Sequence, residues 1–258
     1  MKCIHHLVAT FSVLILDIGL CEFAQAADID VIAKASIGKK SSELVIRGRN
    51  FAPDFVTLDL LLTGAINNYF ITINNELSIK DDIQSYTDLD NSNFDGLIFY
   101  SRADTNITFG YSFDIATVFV GVRTGETNAY YTANSRAFDT TSGGYYIGFS
   151  KNYVYKDVGA FNGSVAVASL DGEVALSEPF VDTSAFVVGA TPPASVKGSA
   201  IGLSLGLGWT GRVSDDTNYS IDIKLNQFDF EDDVVFGGLD LSYQENFKTF
   251  SLGLTHFF

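Results

Sequence analysis

Residues 200–210 read AIGLSLGLGWT. Ile201, Leu203, Leu205, Leu207 and Trp209 occupy one parity, and Gly202, Ser204, Gly206 and Gly208 the other. A period of two predicts a strand, because successive side chains leave a strand on opposite faces. The second row decides the class. A soluble sandwich or lipocalin packs its apolar face inside and carries Lys and Glu on the water face. Here the non-apolar face is Gly and Ser, which suits a polar interior and an apolar exterior turned to lipid.

The same alternation recurs along the chain. Tyr219, Ile221, Ile223 and Leu225 alternate with Ser220, Asp222, Lys224 and Asn226. Leu239, Leu241 and Tyr243 alternate with Asp240 and Ser242, and Val56, Leu58, Leu60 and Leu62 with Thr57, Asp59 and Thr63. No charge interrupts these apolar rows, as expected where a midplane charge costs about 2–4 kcal/mol. The composition agrees: 47% hydrophobic, 18% charged, 14% aromatic. Mean hydropathy is +0.17, yet past the N-terminus no apolar run is long enough for a spanning helix. Low charge with many aromatics argues against disorder. The net charge of −15 argues against nucleic acid as a partner, since phosphate neutralisation needs Lys and Arg.

Residues 1–26 are expected to be an export signal peptide: Lys2, an apolar core over 7–20, and Ala24-Gln25-Ala26 as an A-x-A cleavage site. Acylation of Cys21 is disfavoured, because the preceding Leu20 is large. Cleavage removes both cysteines, Cys3 and Cys21, and leaves His256 as the one histidine. Disulfides, zinc sites of the Cys/His type and cofactors are therefore not expected.

The expected fold is all-β, a transmembrane up-and-down antiparallel barrel over residues 42–258, preceded by a periplasmic or lumenal segment over 27–41. Strands are expected at 42–50, 55–65, 68–79, 94–102, 105–124, 144–152, 158–169, 183–190, 197–210, 217–229, 236–244 and 248–258. That is about twelve, within a range of 10–14, with an even number keeping the long connections on one side. The segment 105–124 is read as one strand, because Ile107, Phe109, Tyr111, Phe113, Ile115 and Phe119 keep one phase. All four prolines fall in connections, as strand ladders require. Aromatics at strand ends predict two girdles, with Phe55, Tyr145, Trp209, Tyr219 and Tyr243 towards the outer rim and Tyr69, Tyr153, Phe228, Phe236 and Phe258 towards the inner.

The chain closes on Phe250, Leu252, Leu254 and Phe258, one face ending in an aromatic residue. This resembles the C-terminal recognition signal of Gram-negative outer-membrane β-barrel proteins, with His256 a departure from the usual apolar residue or Tyr. The resemblance, which is to porin-like barrels in general, implies export to the periplasm and insertion into the outer membrane by the barrel-assembly machinery. It implies lipid and lipopolysaccharide as neighbours, and a homotrimer as a candidate assembly.

Small inward residues predict a water-filled lumen in a twelve-stranded barrel, unless larger residues of other strands or segment 27–41 occupy it. The expected pore-lining charges are Arg47, Arg49, Asp59, Glu76, Asp114, Asp222, Lys224 and Asp240. Such charges either set ion preference, with Arg47 and Arg49 opposing Asp59, or pair off within the wall. The acidic segments 80–93 and 170–182 read as solvated loops without EF-hand spacing. Barrel hydrolases that resemble this architecture pair a Ser with a His near the outer rim. His256 is expected at the inner rim with no serine motif around it, and no P-loop, H-E-x-x-H or dinucleotide fingerprint occurs. The expected function is therefore non-enzymatic: a porin-like channel for passive diffusion of ions and small hydrophilic solutes. The alternative is a non-conducting barrel with a structural or surface-adhesion role.

Overall fold

The structure, a computed structural model, describes residues 29–46, 49–87, 95–131, 135–155, 158–176, 195–232 and 243–258. All its elements are strands: β1 (Asp30–Ile46), β2 (Arg49–Phe51), β3 (Asp54–Ile66), β4 (Tyr69–Lys80), β5 (Asp82–Thr87), β6 (Asp95–Ser112), β7 (Thr117–Tyr131), β8 (Ser135–Tyr155), β9 (Gly159–Leu176), β10 (Ser195–Arg212), β11 (Thr217–Asp232) and β12 (Tyr243–Phe257). Ten of the twelve form an antiparallel sheet that closes where β12 pairs with β1. The short β2 and β5 lie outside the ring, on β1 and β6 respectively.

Closure sets the tilt. From Ser36 the paired residues run Asp59, Glu76, Asp104, Gly125 and Ser142 one way round. The other way they run Gly253, Ser220, Thr210, Ala160 and Val154. The two paths meet β8 twelve residues apart, at Ser142 and Val154. That stagger over ten strands corresponds to a tilt of about 40°, as in transmembrane barrels.

Both described termini lie at one end of the barrel, which we call the terminal end, together with the short turns at 67–68, 113–116 and 213–216. Asn67 takes a positive φ of 54° in the tightest of them, a conformation Asn tolerates well. The opposite end, the loop end, receives the long connections.

The outward face carries an unbroken apolar belt. Ile37, Ile71, Ile73, Ile107, Phe109, Val118, Val120, Val122, Ile147, Phe149, Leu203, Leu205, Leu207, Ile221, Ile223, Phe250, Leu252 and Leu254 are all exposed. In water this area would be an aggregation surface; in a bilayer it is the lipid contact. Above it on the loop-end side the outward residues turn charged, with Lys39, Glu126, Asp171, Lys197 and Asp229.

Several sequence expectations are corrected. Residues 30–41 are not a separate segment; they make most of β1, the strand that closes the barrel. The 105–124 segment is two strands joined by the turn 113–116, closed by Phe113 N donating to the Ala116 carbonyl at 2.8 Å. The apolar row changes parity across that turn, from Ile107 and Phe109 to Val118, Val120 and Val122. Phe119, which follows the old phase by number, faces inward. Residues 103–104, expected as a turn, are continuous β6. The expected strand 183–190 and all but the last two residues of 236–244 lie outside the described residues. Among the described residues Tyr145 is exposed on the outer wall on the loop-end side of the belt, and most girdle contacts lie at the other end. Tyr69 packs on Tyr111 (4.8 Å) and Tyr155 on Trp209 (6.1 Å) at the terminal end. Tyr219 also belongs there, accepting a 3.4 Å hydrogen bond from the Trp209 indole. Phe55, Phe228 and Tyr243 are buried inside the barrel instead.

Candidate functional site: the lumen

The ladder row that begins at Ser36 sets Asp59, Glu76 and Asp104 side by side on β3, β4 and β6, all inward and all buried. Three adjacent carboxylates in a low-dielectric interior repel strongly and need cations. β1 supplies Lys40, whose Nζ lies 2.8 Å from Glu76 and 2.7 Å from Asp104. β6 supplies Arg102, which donates Nε and Nη2 to the two Asp104 oxygens at 2.8 Å each and Nη1 to Thr127 at 2.6 Å. The same guanidinium lies 3.7 Å from Glu245 of β12, on the far side of the closure seam. β7 supplies Arg123, 3.2 Å from Asp104. Glu245 also accepts hydrogen bonds from Thr140 (3.2 Å) and Ser142 (3.5 Å) of β8.

Nearer the terminal end the charges pair one to one. Asp59 accepts a short hydrogen bond from Asn74 and lies 3.9 Å from Lys224. Asp222 pairs with Lys34 at 2.5 Å. Among the described residues the ion-paired lumen charges are Lys34, Lys40, Arg102, Arg123 and Lys224 against Asp59, Glu76, Asp104, Asp222 and Glu245, so the set is neutral.

Against this polar layer sits an aromatic one. Arg102 stacks on the Phe247 ring at 3.9 Å and Arg123 on Phe228 at 4.5 Å, favourable cation–π geometries. Leu44, Phe51, Phe55, Ile98, Tyr100, Phe138, Leu170, Phe228, Phe230, Tyr243 and Phe247 form one buried cluster in the loop-end half of the lumen.

The inward glycines do not leave room here. A Cβ on Gly202 would lie 2.0 Å from the Phe228 ring, and one on Gly172 would meet both Tyr243 and Phe230. These glycines are seats for rings from β11 and β12. Towards the terminal end the lining is thinner: Ser164, Ser204, Gly206 and Asn226 are partly exposed, and the inward-facing Lys224 side chain is 46% exposed.

Of the charges expected to line a pore, Asp59, Glu76, Asp222 and Lys224 face the lumen, all four in ion pairs. Asp114 does not; it is exposed in the 113–116 turn at the terminal end. Arg47 and Asp240 lie outside the described residues, as does the side chain of Arg49 in β2. Phe250, Leu252, Leu254 and Phe258 are exposed on the outside wall or at the terminal rim. The residues that sequence reasoning missed are Lys34, Lys40, Arg102, Asp104, Arg123 and Glu245. Lys34 and Lys40 share a parity with Ser36, opposite Ala35 and Ile37, and that alternation is the signal that could have found β1.

A second concavity of about 620 Å³ lies on the outer wall just above the apolar belt. Its floor is Ala103, Thr105, Thr124, Thr141 and Gly143, and its charged rim is Glu126, Asp171, Glu173 and Lys197. Lys197 and Glu173 are 3.4 Å apart. Among the described residues no group of His, Cys, Asp or Glu is arranged to hold a metal ion. His256 shares a 3.1 Å hydrogen bond with Thr217 and packs edge-on against Phe258.

No protein-family model matches the chain, and no curated protein matches it. Several solved structures align with most of its length, each with a TM-score under 0.5. The outer-membrane protease OmpT from Escherichia coli aligns with a TM-score of 0.47 at 10% identity, over 89% of this chain and 96% of that one. A Pseudomonas aeruginosa FadL homologue gives 0.39 at 9%, over 88% and 90%. Neisserial surface protein A gives 0.36 at 10%, over 88% and 96%. At such identities the likeness is one of fold alone.

Proposed function

We propose that this chain is an outer-membrane barrel whose lumen is closed, and that it acts through its loop-end face as a structural or surface-contact protein. The observation that carries this reading is the filled cross-section. Arg102, Asp104, Glu245, Phe228, Phe230, Tyr243 and Phe247 are each at most 3% exposed, and they span the lumen from β6 to β12. A steady water path needs a gap in that layer. The apolar belt supports the membrane location, and the loop end is assigned to the outside because short turns face the periplasm in such barrels. The acid-rimmed concavity above the belt forms the contact face.

The remaining expectations enter on this reading. Residues 1–26 are the export signal, and the outward row Phe250, Leu252 and Leu254 with Phe258 is the segment offered to the barrel-assembly machinery. Lipopolysaccharide surrounds the belt, and assembly into trimers is open to crosslinking. The protein is read as non-enzymatic, with His256 held at the terminal rim by Thr217 and Phe258.

The test is electrical. Refolded protein in planar bilayers is expected to show no steady conductance, and its proteoliposomes no solute-driven swelling. A steady open level from the unmodified protein would restore the porin-like diffusion channel, with the exposed Lys224 as part of its lining. Fractionation with outer membranes and heat-modifiable migration on gels are expected under either reading; a soluble, detergent-free monomer removes both.

A further inference from the structure

The two sides of the plug are built differently. On the β1–β7 side Lys40, Arg102 and Asp104 each have ion-pair partners on two or more strands, with Glu76 and Arg123 tied into the same network, so opening there separates buried charges. On the β9–β10 side the wall offers Ala168, Leu170, Gly172, Val174, Ala200 and Gly202, and the space over its glycines is filled by rings reaching over from β11 and β12. Tyr243 stacks on Phe230 at 4.2 Å with the planes 5° apart, and its hydroxyl presses on Gly172. That hydroxyl is buried, the residue being 1% exposed, and has no hydrogen-bond partner among the described residues. Burying a hydroxyl without a partner is unfavourable. A ring that leaves Gly172 separates no ion pair, breaks no hydrogen bond of its own among the described residues and wets its own hydroxyl.

We propose that the barrel holds a latent passage for small polar solutes and ions along the β9–β10 wall, closed by the Phe230 and Tyr243 rings. Swinging Tyr243 and Phe230 off Gly172 and Ala200 joins the loop end to the partly hydrated half that contains Ser204, Asn226 and Lys224. This rests on the closed-barrel reading above.

The experiment compares single-channel recordings of the full barrel and its variants in planar bilayers, with refolding checked by heat-modifiable migration. The unmodified protein is expected to be silent, and Tyr243→Ala with Phe230→Ala to show discrete conductance steps. Adding Gly172→Leu, which refills the space from the wall, is expected to silence them. Should the double variant not refold, Tyr243→Ala alone serves, with brief openings expected. Silence in every variant that folds overturns the passage and leaves the closed barrel standing. Conductance from Arg102→Met but not from the ring variants also overturns it, by placing the weak side at the charged wall. A steady conductance from the unmodified protein overturns the closed-barrel reading itself, and the proposal with it.

Discussion

The loop-end and terminal-end halves of the lumen share the same ten strands and the same alternation, yet one is packed and the other is partly hydrated. On the β9–β10 wall of the loop-end half the inward glycines face rings, Gly172 the Tyr243 and Phe230 rings and Gly202 the Phe228 ring. In the terminal-end half the inward Gly206 faces the Ser164 hydroxyl, and beside it Lys224 reaches water. Small residues therefore do not by themselves mean an open channel. What a glycine leaves, the neighbouring strand fills or leaves empty, and that is decided by the side chain opposite it in the ladder. The charges follow the same division. Arg102 and Asp104 are enclosed and multiply bonded, whereas Lys224 keeps one long contact to Asp59.

The largest break in this comparison comes from Arg102→Met. It leaves Asp104 short of its bidentate partner and Glu245 without its guanidinium, and removing one side of a buried pair costs about 3–5 kcal/mol. Lys224→Met, in the hydrated half, is expected to cost well under that, because Asp59 keeps Asn74 and water. Urea unfolding from lipid vesicles measures both; equal losses would mean that the terminal-end half is as closed as the other. Next comes the wall itself. Leu205→Arg puts a charge on the lipid face near mid-belt, at a cost of about 2–4 kcal/mol. Ser204→Arg, one residue away, points into the hydrated half and is expected to lose less than 1 kcal/mol or so, the level of an ordinary surface change. A reversed order would turn the barrel inside out. Cysteine labelling sharpens the same division: Ser204→Cys is expected to react with a charged thiol reagent in folded protein, and Thr127→Cys to be protected until unfolding.

The barrel was legible because lipid imposes one rule on every second residue. Leu203, Leu205 and Leu207 cannot be explained by a soluble strand whose other face is Gly and Ser. The strand path was less legible where that rule is silent. Residues 30–41 read as a periplasmic or lumenal segment, although in a lumen Lys34 and Lys40 are ordinary inward residues of a strand once Asp222 or Glu76 stands across from them. Asp114 was misplaced for a related reason. One parity was carried through a turn that resets it, and Val118, Val120 and Val122 were the signal of the reset. The plug itself could not be read in advance. Phe228 and Tyr243 looked like girdle residues, and only the register that seats them against Gly202 and Gly172 turns them inward.

The smallest expected effect is also the one that separates the halves most directly. Gly202→Ala places a methyl group inside the Phe228 ring, with the Gln227 carbonyl 2.7 Å away on the ladder side. The ring is held from above by Arg123, so it cannot retreat without loosening the charge layer. Overpacking of this kind costs about 1–3 kcal/mol. Gly206→Ala meets only the Ser164 Oγ at 2.4 Å, and the next atom is 3.8 Å away. A rotation about one χ1 clears the contact, so stability is expected to change by no more than about 0.5 kcal/mol, with the lost backbone freedom of the unfolded chain acting in favour of Ala. Both glycines sit on β10, two ladder steps apart, facing the same way, so strand propensity cancels between them. If the two substitutions cost the same, the difference between the packed and hydrated halves is not one of packing. A cost confined to Gly202 attributes it to the ring that occupies the seat.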